Sequence, residues 1–407
     1  MEFAPTGLTV IHGGNGEGKT NLLEAVAWLA TLESFRGAPP EALVRVGSPS
    51  GSAIVRATGS RTTAPGAERT VLIEGEITPR GRARAQVNRQ PLRRARDLLG
   101  ALRVSVFSPD DLVLVKGGPA ERRRALDDLL VACHPRWDAL RSDVERILRQ
   151  RATLLKQAGG RLTPEVAMTL DVWDDKLATA GTALADARAA LAARLEPEVG
   201  RAYAQIAGLT GSGAALTLSY WAPWRSPQSP RVGLQPLGES PGRAAASPDP
   251  APASPGPAAA TGARDLALTS DGRPSGEAFG AGLARALQAA RVDDVRRGVS
   301  TVGPHRDDLV ITLDGLPART HASQGEQRSL ALALRLGGHG VVTEEAGDGP
   351  VLLLDDVFSE LDPDRSAALA AHLPAGQALL TTAGAVPEGI EAAAHIKVRA
   401  GVATPGR

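Results

Sequence analysis

TVIHGGNGEGKTNLLEAV, Thr9 to Val26, sets a glycine-rich loop between an apolar strand, Leu8 to Ile11, and a helix from Thr20 to about Leu32. Gly13, Gly18, Lys19 and Thr20 fit the pattern G-x-x-x-x-G-K-[ST], and both flanks are the ones this pattern requires. Across Gly13, Gly14, Asn15, Gly16, Glu17 and Gly18 the backbone can wrap so that successive N–H groups face an anion. The helix N-terminus adds its partial positive charge. Lys19 reaches the β- and γ-phosphates of a nucleotide, and the Thr20 hydroxyl joins a Mg²⁺ shell. The stretch predicts nucleotide binding.

A matching acidic element lies near the other end of the chain. In VLLLDDVFSELD, Val351 to Asp362, four apolar residues predict a buried strand ending in Asp355 and Asp356. The first carboxylate suits the Mg²⁺ position, directly or through water. The second can polarise or deprotonate an attacking water. Two aspartates at a strand end can also simply cap the next helix, but the phosphate loop favours the chemical assignment. Lys19 and Asp356 are thus the candidate catalytic residues, and Thr20 and Asp355 the candidate metal ligands.

Between these elements lies HASQGEQRSLALALRL, His321 to Leu336, in which Ser323, Gln324, Gly325 and Glu326 open a helix. A hydroxyl and free N–H groups there are aimed at an anion. Alone, the stretch is also explained by a capping box of Ser323 with Glu326. About thirty residues before an acidic strand, it resembles the signature of ABC-type ATPases, in which the signature of one subunit closes over ATP held by the other. That resemblance implies a head-to-tail dimer with two composite ATP sites.

Further out, strand-like runs such as AIVRATG and RTVLIEGEIT fill much of the first ninety or so residues. From Pro119 to about Gln157, Leu126, Leu130, Cys133, Trp137, Leu140, Val144 and Ile147 recur at steps of three or four, an apolar helix stripe. Gly159, Gly160 and Pro164 break it, and a second stripe from Trp173 to Leu195 precedes Pro197. Two such helices joined by a glycine turn predict an antiparallel hairpin. The strand LTLSYW follows, and then ten prolines between Pro223 and Pro257 predict a disordered linker. A helix is expected over about 277–297. The last hundred residues read as alternating strand and helix: LVITL, QRSLALALRL, VLLLDD, a helix, QALLTT. The expected division is therefore an ATPase head from 1–115 and 301–407, a helical arm at 116–222, a linker at 223–264 and a helical return at 265–300.

Three strings carry a closer resemblance: FSPDDLVLVKGGPAERRRALD (Phe107–Asp127), TVGPHRDDL (Thr301–Leu309) and LLLDDVFSELD (Leu352–Asp362). Together they make the chain similar to the bacterial RecF family of recombination mediators, over most of its length outside the linker. The fold this implies is α/β, an ABC-type P-loop ATPase head with an inserted helical-hairpin domain. The resemblance further implies ATP and Mg²⁺ as cofactors and an ATP-dependent homodimer that clamps DNA at the single-/double-strand junctions of gaps. It implies help in loading the strand-exchange recombinase, RecR and RecO as pathway partners, and slow DNA-stimulated ATP hydrolysis as a reset. By the same analogy Ser359, Glu360, Leu361 and Asp362 form a dimer loop facing the opposite subunit's site. A nucleotide-gated scaffold for protein partners, with minor DNA contact, is the alternative. A P-loop small-molecule kinase is a third reading, which the signature counts against. The chain departs from the family pattern in three places. The F-R-N-Y-like strand expected before Glu2 is missing, which predicts loss of a sheet-edge strand and of support for adenine. The proline-rich stretch is longer. The γ-phosphate sensor is unassigned, since Phe107 to Asp110 and Thr381 with Thr382 occupy the places where other heads carry a glutamine and a histidine.

The 46 Lys and Arg against 45 Asp and Glu leave a net charge of +1, which excludes a polycation that coats nucleic acid by charge alone. The charges are nevertheless segregated. From Arg80 to Arg124, twelve basic residues face four acids, a net +8, and from Glu344 to Asp364 eight acids stand without a base, a net −8. The basic block is a candidate contact to a DNA backbone through Arg82, Arg84, Arg89, Arg93 and Arg94, and the absence of aromatic residues among them favours phosphate over base stacking. Arg122 to Arg124 are equally open to internal pairing with Asp127 and Asp128. A single cysteine, Cys133, leaves neither an intrachain disulfide nor a paired-cysteine zinc site. No run approaches the roughly 20 apolar residues of a membrane span, so a cytoplasmic protein without a membrane partner is expected. His305 is open to either a ligand contact or a structural turn. His134, His339, His372 and His395 lack ligand spacing.

Overall fold

The computed structural model describes residues 1–64, 67–79, 83–208, 215–225, 277–384, 386 and 390–406, with backbone alone at 61–64, 67–68, 277–281 and 360. Nearly all of the proline-rich stretch, and Arg80 and Arg82 of the basic block, lie outside these residues. Strand β1 (Gly7–His12) is buried at four successive positions, as expected of a strand covered on both faces. Helix α1 (Lys19–Thr31) follows the glycine loop and ends where Leu32, at φ +61°, turns its N–H back to the Trp28 carbonyl. Strands β2 (Ala53–Ala64), β3 (Ala67–Ile77), β4 (Arg84–Val87) and β5 (Gln90–Pro91) form an antiparallel sheet in that order. Gly75 of β3 lets α1 lie on this sheet: a Cβ there would stand 2.3 Å from the Trp28 ring. Strand β6 (Val104–Phe107) then joins the main sheet.

The helical part comprises α2 (Val113–Lys116), α3 (Pro119–Cys133), α4 (Arg136–Gln157) and α5 (Pro164–Ile206), then β7 (Leu216–Trp221) and α6 (Glu277–Arg297). Two boundaries differ from expectation. The stripe from Pro119 to Gln157 is two helices, because Pro135 has no N–H to continue the ladder and the chain bends at His134. The steps of three and four run across the bend unchanged, which hides it from periodicity. Helix α5, in contrast, continues through Pro197. A proline inside a helix costs about 3 kcal/mol, but Val199, Tyr203 and Ile206 beyond it are buried. Each buried side chain of that size contributes roughly 1.5–3 kcal/mol, so burial prevails. Gly337 and Gly338 permit close helix packing here, since a Cβ on either would meet Val199 of α5 or Leu129 of α3 within 3 Å.

The last part runs β8 (Asp308–Leu313), β9 (Leu316–Pro317), α7 (Ala318–His321), α8 (Gln324–Ala346), β10 (Val351–Asp355), α9 (Pro363–Ala371), β11 (Gln377–Thr382), β12 (Ala392–Arg399) and β13 (Val402–Pro405). The main sheet has the order β13-β12-β1-β11-β10-β6, parallel throughout except for β13. Alternate side chains feed two cores. Val10, Leu352, Leu354 and Leu380 pack with α3, α5 and α8, whereas Ile11, Leu353 and Leu379 pack with Leu23 and Ala27 of α1. LVITL was expected in the ATPase rhythm; it is β8, antiparallel to β7 in a separate three-stranded sheet. Its burial alternates at Leu309, Ile311 and Leu313, the pattern of a strand covered on one face.

Candidate nucleotide site

The register of the main sheet places the site. Ile11 of β1 pairs with Thr381 of β11, which pairs with Asp355 of β10, so the carboxyl ends of three adjacent parallel strands share one row. Open α/β sheets bind ligands at this end. Gly18, at φ +98°, makes the left-handed turn that starts α1, a conformation that favours glycine. Gly13 has no room for a side chain, since a Cβ would stand 2.6 Å from the Val398 carbonyl oxygen. Lys19 is buried, and its Nζ donates to the carbonyls of Gly13 and Gly14 at 2.8 and 2.9 Å, which holds the ammonium inside the loop.

Thr20 Oγ1 donates to Asp355 Oδ1 at 2.9 Å, and Thr381 Oγ1 donates to the same oxygen at 2.7 Å. Two neutral hydroxyls thus orient one buried carboxylate. An all-oxygen set of one hydroxyl and one carboxylate suits Mg²⁺, which takes few protein ligands and completes its shell with phosphate and water. Thr20 and Asp355 would hold the ion, which would supply charge neutralisation at the phosphates. Asp356 leaves the strand at φ +48°, with its N–H donating to Thr381 Oγ1 and to the Thr381 carbonyl at 3.1 and 3.2 Å. Aspartate tolerates this left-handed backbone better than most residues. Thr381 therefore orders both aspartates. From sequence it was an unassigned strand end, and the threonine at the terminus of a buried strand was the available signal.

A second cluster gathers Ser323 to Glu326 and the segment from Ser359 to Asp362, expected as signature and dimer loop. Ser323 caps α8: its Oγ accepts from the Glu326 N–H at 3.3 Å while the Glu326 carboxylate accepts from the Ser323 N–H at 2.7 Å. Those hydrogen bonds from Ser323 hold the Glu326 carboxyl below its usual range. Gln327 donates to the carbonyls of Ala318 and Arg319. Ser359 lies in a 3₁₀ turn (Val357–Glu360), and Asp362 caps α9, accepting from the Arg365 N–H and guanidinium at 2.9 and 2.6 Å. That guanidinium lies over Gly325, 2.7 Å from where a Cβ would stand. Gly325, Arg328, Leu361, Asp362 and Arg365 line a recess of 260 Å³.

A family model described as the RecF/RecN/SMC N-terminal domain matches residues 1–382. The DNA replication and repair protein RecF of Kineococcus radiotolerans is 42% identical over 394 residues, covering 95% of this chain and 89% of its own. The chain belongs to the RecF family. RecF of Frankia alni is 42% identical over 381 residues, covering 93% of this chain and 87% of its own. Two solved structures of the recombination mediator RecF in the RecFOR pathway, RecF-ATPrS and RecF-ATP, superpose with TM-scores of 0.78 and 0.77 at 25% identity. They cover all of this chain and 94% and 93% of their own. The fold is the ABC-type ATPase head with an inserted helical hairpin.

Within this chain the basic block divides. Arg84, Arg89, Arg93 and Arg94 are exposed on β4, the β4–β5 turn and the segment after β5. Arg122 instead makes a two-pronged buried pair with Asp308 at 2.8 and 2.9 Å, and Arg123 donates to the Asp307 carbonyl. Asp127 belongs to Arg188 of α5, through two bonds of 2.7 Å. The TVGPHRDDL string is thus an internal fastening between α3, α5 and β8. His305 shares in it, its Nε2 within 3.0 Å of the Ser300 carbonyl, and burial pushes its imidazole down to about 4. A parallel node holds the arm: Arg151, fully buried, donates to Asp174 of α5 and Asp294 of α6 at 2.8 and 2.7 Å.

Proposed function

We propose that this chain is an ATP-dependent DNA-binding protein of recombinational repair and replication restart. In this reading the loop Gly13–Thr20 of one copy holds ATP and Ser323–Glu326 of a second copy closes over it. The resulting dimer clamps DNA at the single-/double-strand junction of a gap and helps to load the recombinase. RecR and RecO are its pathway partners, in the cytoplasm. The observation that carries the reading is the Thr20–Asp355–Thr381 constellation at the ends of three parallel strands, in a RecF relative of proteins solved with ATP. We assign residues 1–115 and 301–407 to the head, 116–222 to the arm and 265–300 to the helical return, of which 277–300 are among the described residues.

Lys19 supplies positive charge at the β- and γ-phosphates. Asp356 takes the proton of the attacking water as general base, in a slow hydrolysis that resets the clamp. Arg84, Arg89, Arg93 and Arg94 contact the duplex backbone; exposed arginines without aromatic neighbours suit phosphates. The test is binding to gapped duplex with ATP, with ADP and without nucleotide. Tight binding only with ATP is expected. DNA affinity that ignores the nucleotide would sink the clamp and leave the nucleotide-gated scaffold.

A further inference from the structure

The phosphate loop carries an acid of its own. Glu17 stands between Gly16 and Gly18, where a carboxylate facing the bound anion would oppose it. It faces the β12–β13 hairpin instead. Its Oε2 accepts from the Ala400 N–H, and its carbonyl accepts from the Gly401 N–H at 3.0 Å. Ala400 and Gly401, at φ +49° and +76°, are the two-residue turn of that hairpin, with Arg399 paired to Val402. This primed turn aims both N–H groups at the loop.

The hairpin meets the loop at its other points as well. A Cβ on Gly13 would collide with the Val398 carbonyl, and one on Gly18 would stand 3.5 Å from Gly401 Cα. Just before the loop, His12 stacks on His395 of β12, with rings 12° from parallel and Nε2 3.0 Å from Nδ1. The hairpin therefore touches the loop at its start, middle and end, although it carries no motif.

We propose that Glu17 is a positioning residue that latches the phosphate loop to the β12–β13 turn. The latch keeps the loop amides curved toward the anion and turns the Glu17 charge away from the triphosphate. The inference rests on the reading of this loop as the ATP site.

The test uses the full chain and titrates Mg-ATP into wild type, Glu17→Ala, Glu17→Gln and Lys19→Ala. Charge alone predicts that both Glu17 variants bind ATP more tightly, since each removes one negative charge. The latch predicts a split. Glu17→Gln keeps an acceptor for the Ala400 N–H and binds at least as tightly as wild type. Glu17→Ala binds about tenfold more weakly, the size of one lost charge-assisted hydrogen bond. Hydrogen exchange without nucleotide gives an independent readout: the Ala400 and Gly401 amides exchange faster in Glu17→Ala and not in Glu17→Gln. Glu17→Ala with wild-type or tighter affinity, or with unchanged exchange at both amides, overturns the latch. If Lys19→Ala also leaves ATP affinity unchanged, the loop is not the ATP site and both readings fall together.

Discussion

Thr20 and Asp355, 335 positions apart in sequence, share a hydrogen bond of 2.9 Å. Asp355 also accepts from Thr381, so the carboxylate that opens the acidic pair is fixed from one neighbouring strand and one helix at once. The chemistry of the site is distributed over both ends of the chain.

Lys19→Ala removes the buried ammonium from the loop. ATP affinity falls by about a hundredfold, the size of two lost charge-assisted contacts, and ATP-dependent dimerisation is lost with it. Calorimetric titration and light scattering check the two effects separately. Nucleotide affinity within about twofold of wild type would remove Lys19 from the site.

Asp356→Asn keeps the left-handed backbone, which asparagine also tolerates, and removes the base. Hydrolysis drops by about 10²- to 10⁴-fold, while an ATP-bound dimer persists on gapped DNA. A variant that instead loses ATP binding, as Lys19→Ala does, contradicts the water-activating role.

Ser323→Arg places a long cation at the N-terminus of α8. Monomer nucleotide affinity is expected to stay unchanged while ATP-driven dimerisation is blocked. Dimerisation retained by light scattering would contradict the composite site.

Replacing Arg84, Arg89, Arg93 and Arg94 by glutamine is expected to weaken duplex binding without changing ATP affinity. Each phosphate contact removed lowers the slope of log K against log salt by about 0.9. An unchanged slope places the DNA elsewhere.

His339 gives a pH prediction. It is 4% exposed, and burial pushes its imidazole down to about 4. The unfolded chain binds its proton near the ordinary value of about 6.5, so between these values the unfolded state holds more protons. Stability is full above that ordinary value and is lost as pH falls toward 4, by about 2 kcal/mol between pH 7 and pH 5 from this group. Urea unfolding of wild type and His339→Gln, which has no such titration, should show a shallower pH slope in the variant. Equal slopes would refute it.

The loop at Gly13–Thr20, the strand ending in Asp355 and the helix opened by Ser323 were all legible, because each is a local pattern with a local cause. What escaped depends on partners distant in sequence. Pro135 breaks a helix and Pro197 does not, and only the burial of Val199, Tyr203 and Ile206 decides between them. Arg122 reads as part of a basic run until Asp308 is folded beside it. The hairpin strands β12 and β13 were missed, although the polar–apolar alternation from His395 to Arg399 and the glycine at Gly401 were available signals. Glu360, expected in the dimer loop, has only its backbone described, within the turn Val357–Glu360.

Helix α5 spans 43 residues, about 65 Å at 1.5 Å per residue. One end holds Arg151 through Asp174, and the other packs Val199 against Gly337 of the helix that Ser323 opens. It is a beam with the arm at one end and the signature helix at the other. A tilt of about 5° at the signature end would carry the arm end through about 6 Å. A small displacement where Val199 meets Gly337 is thereby enlarged where Asp174 holds Arg151.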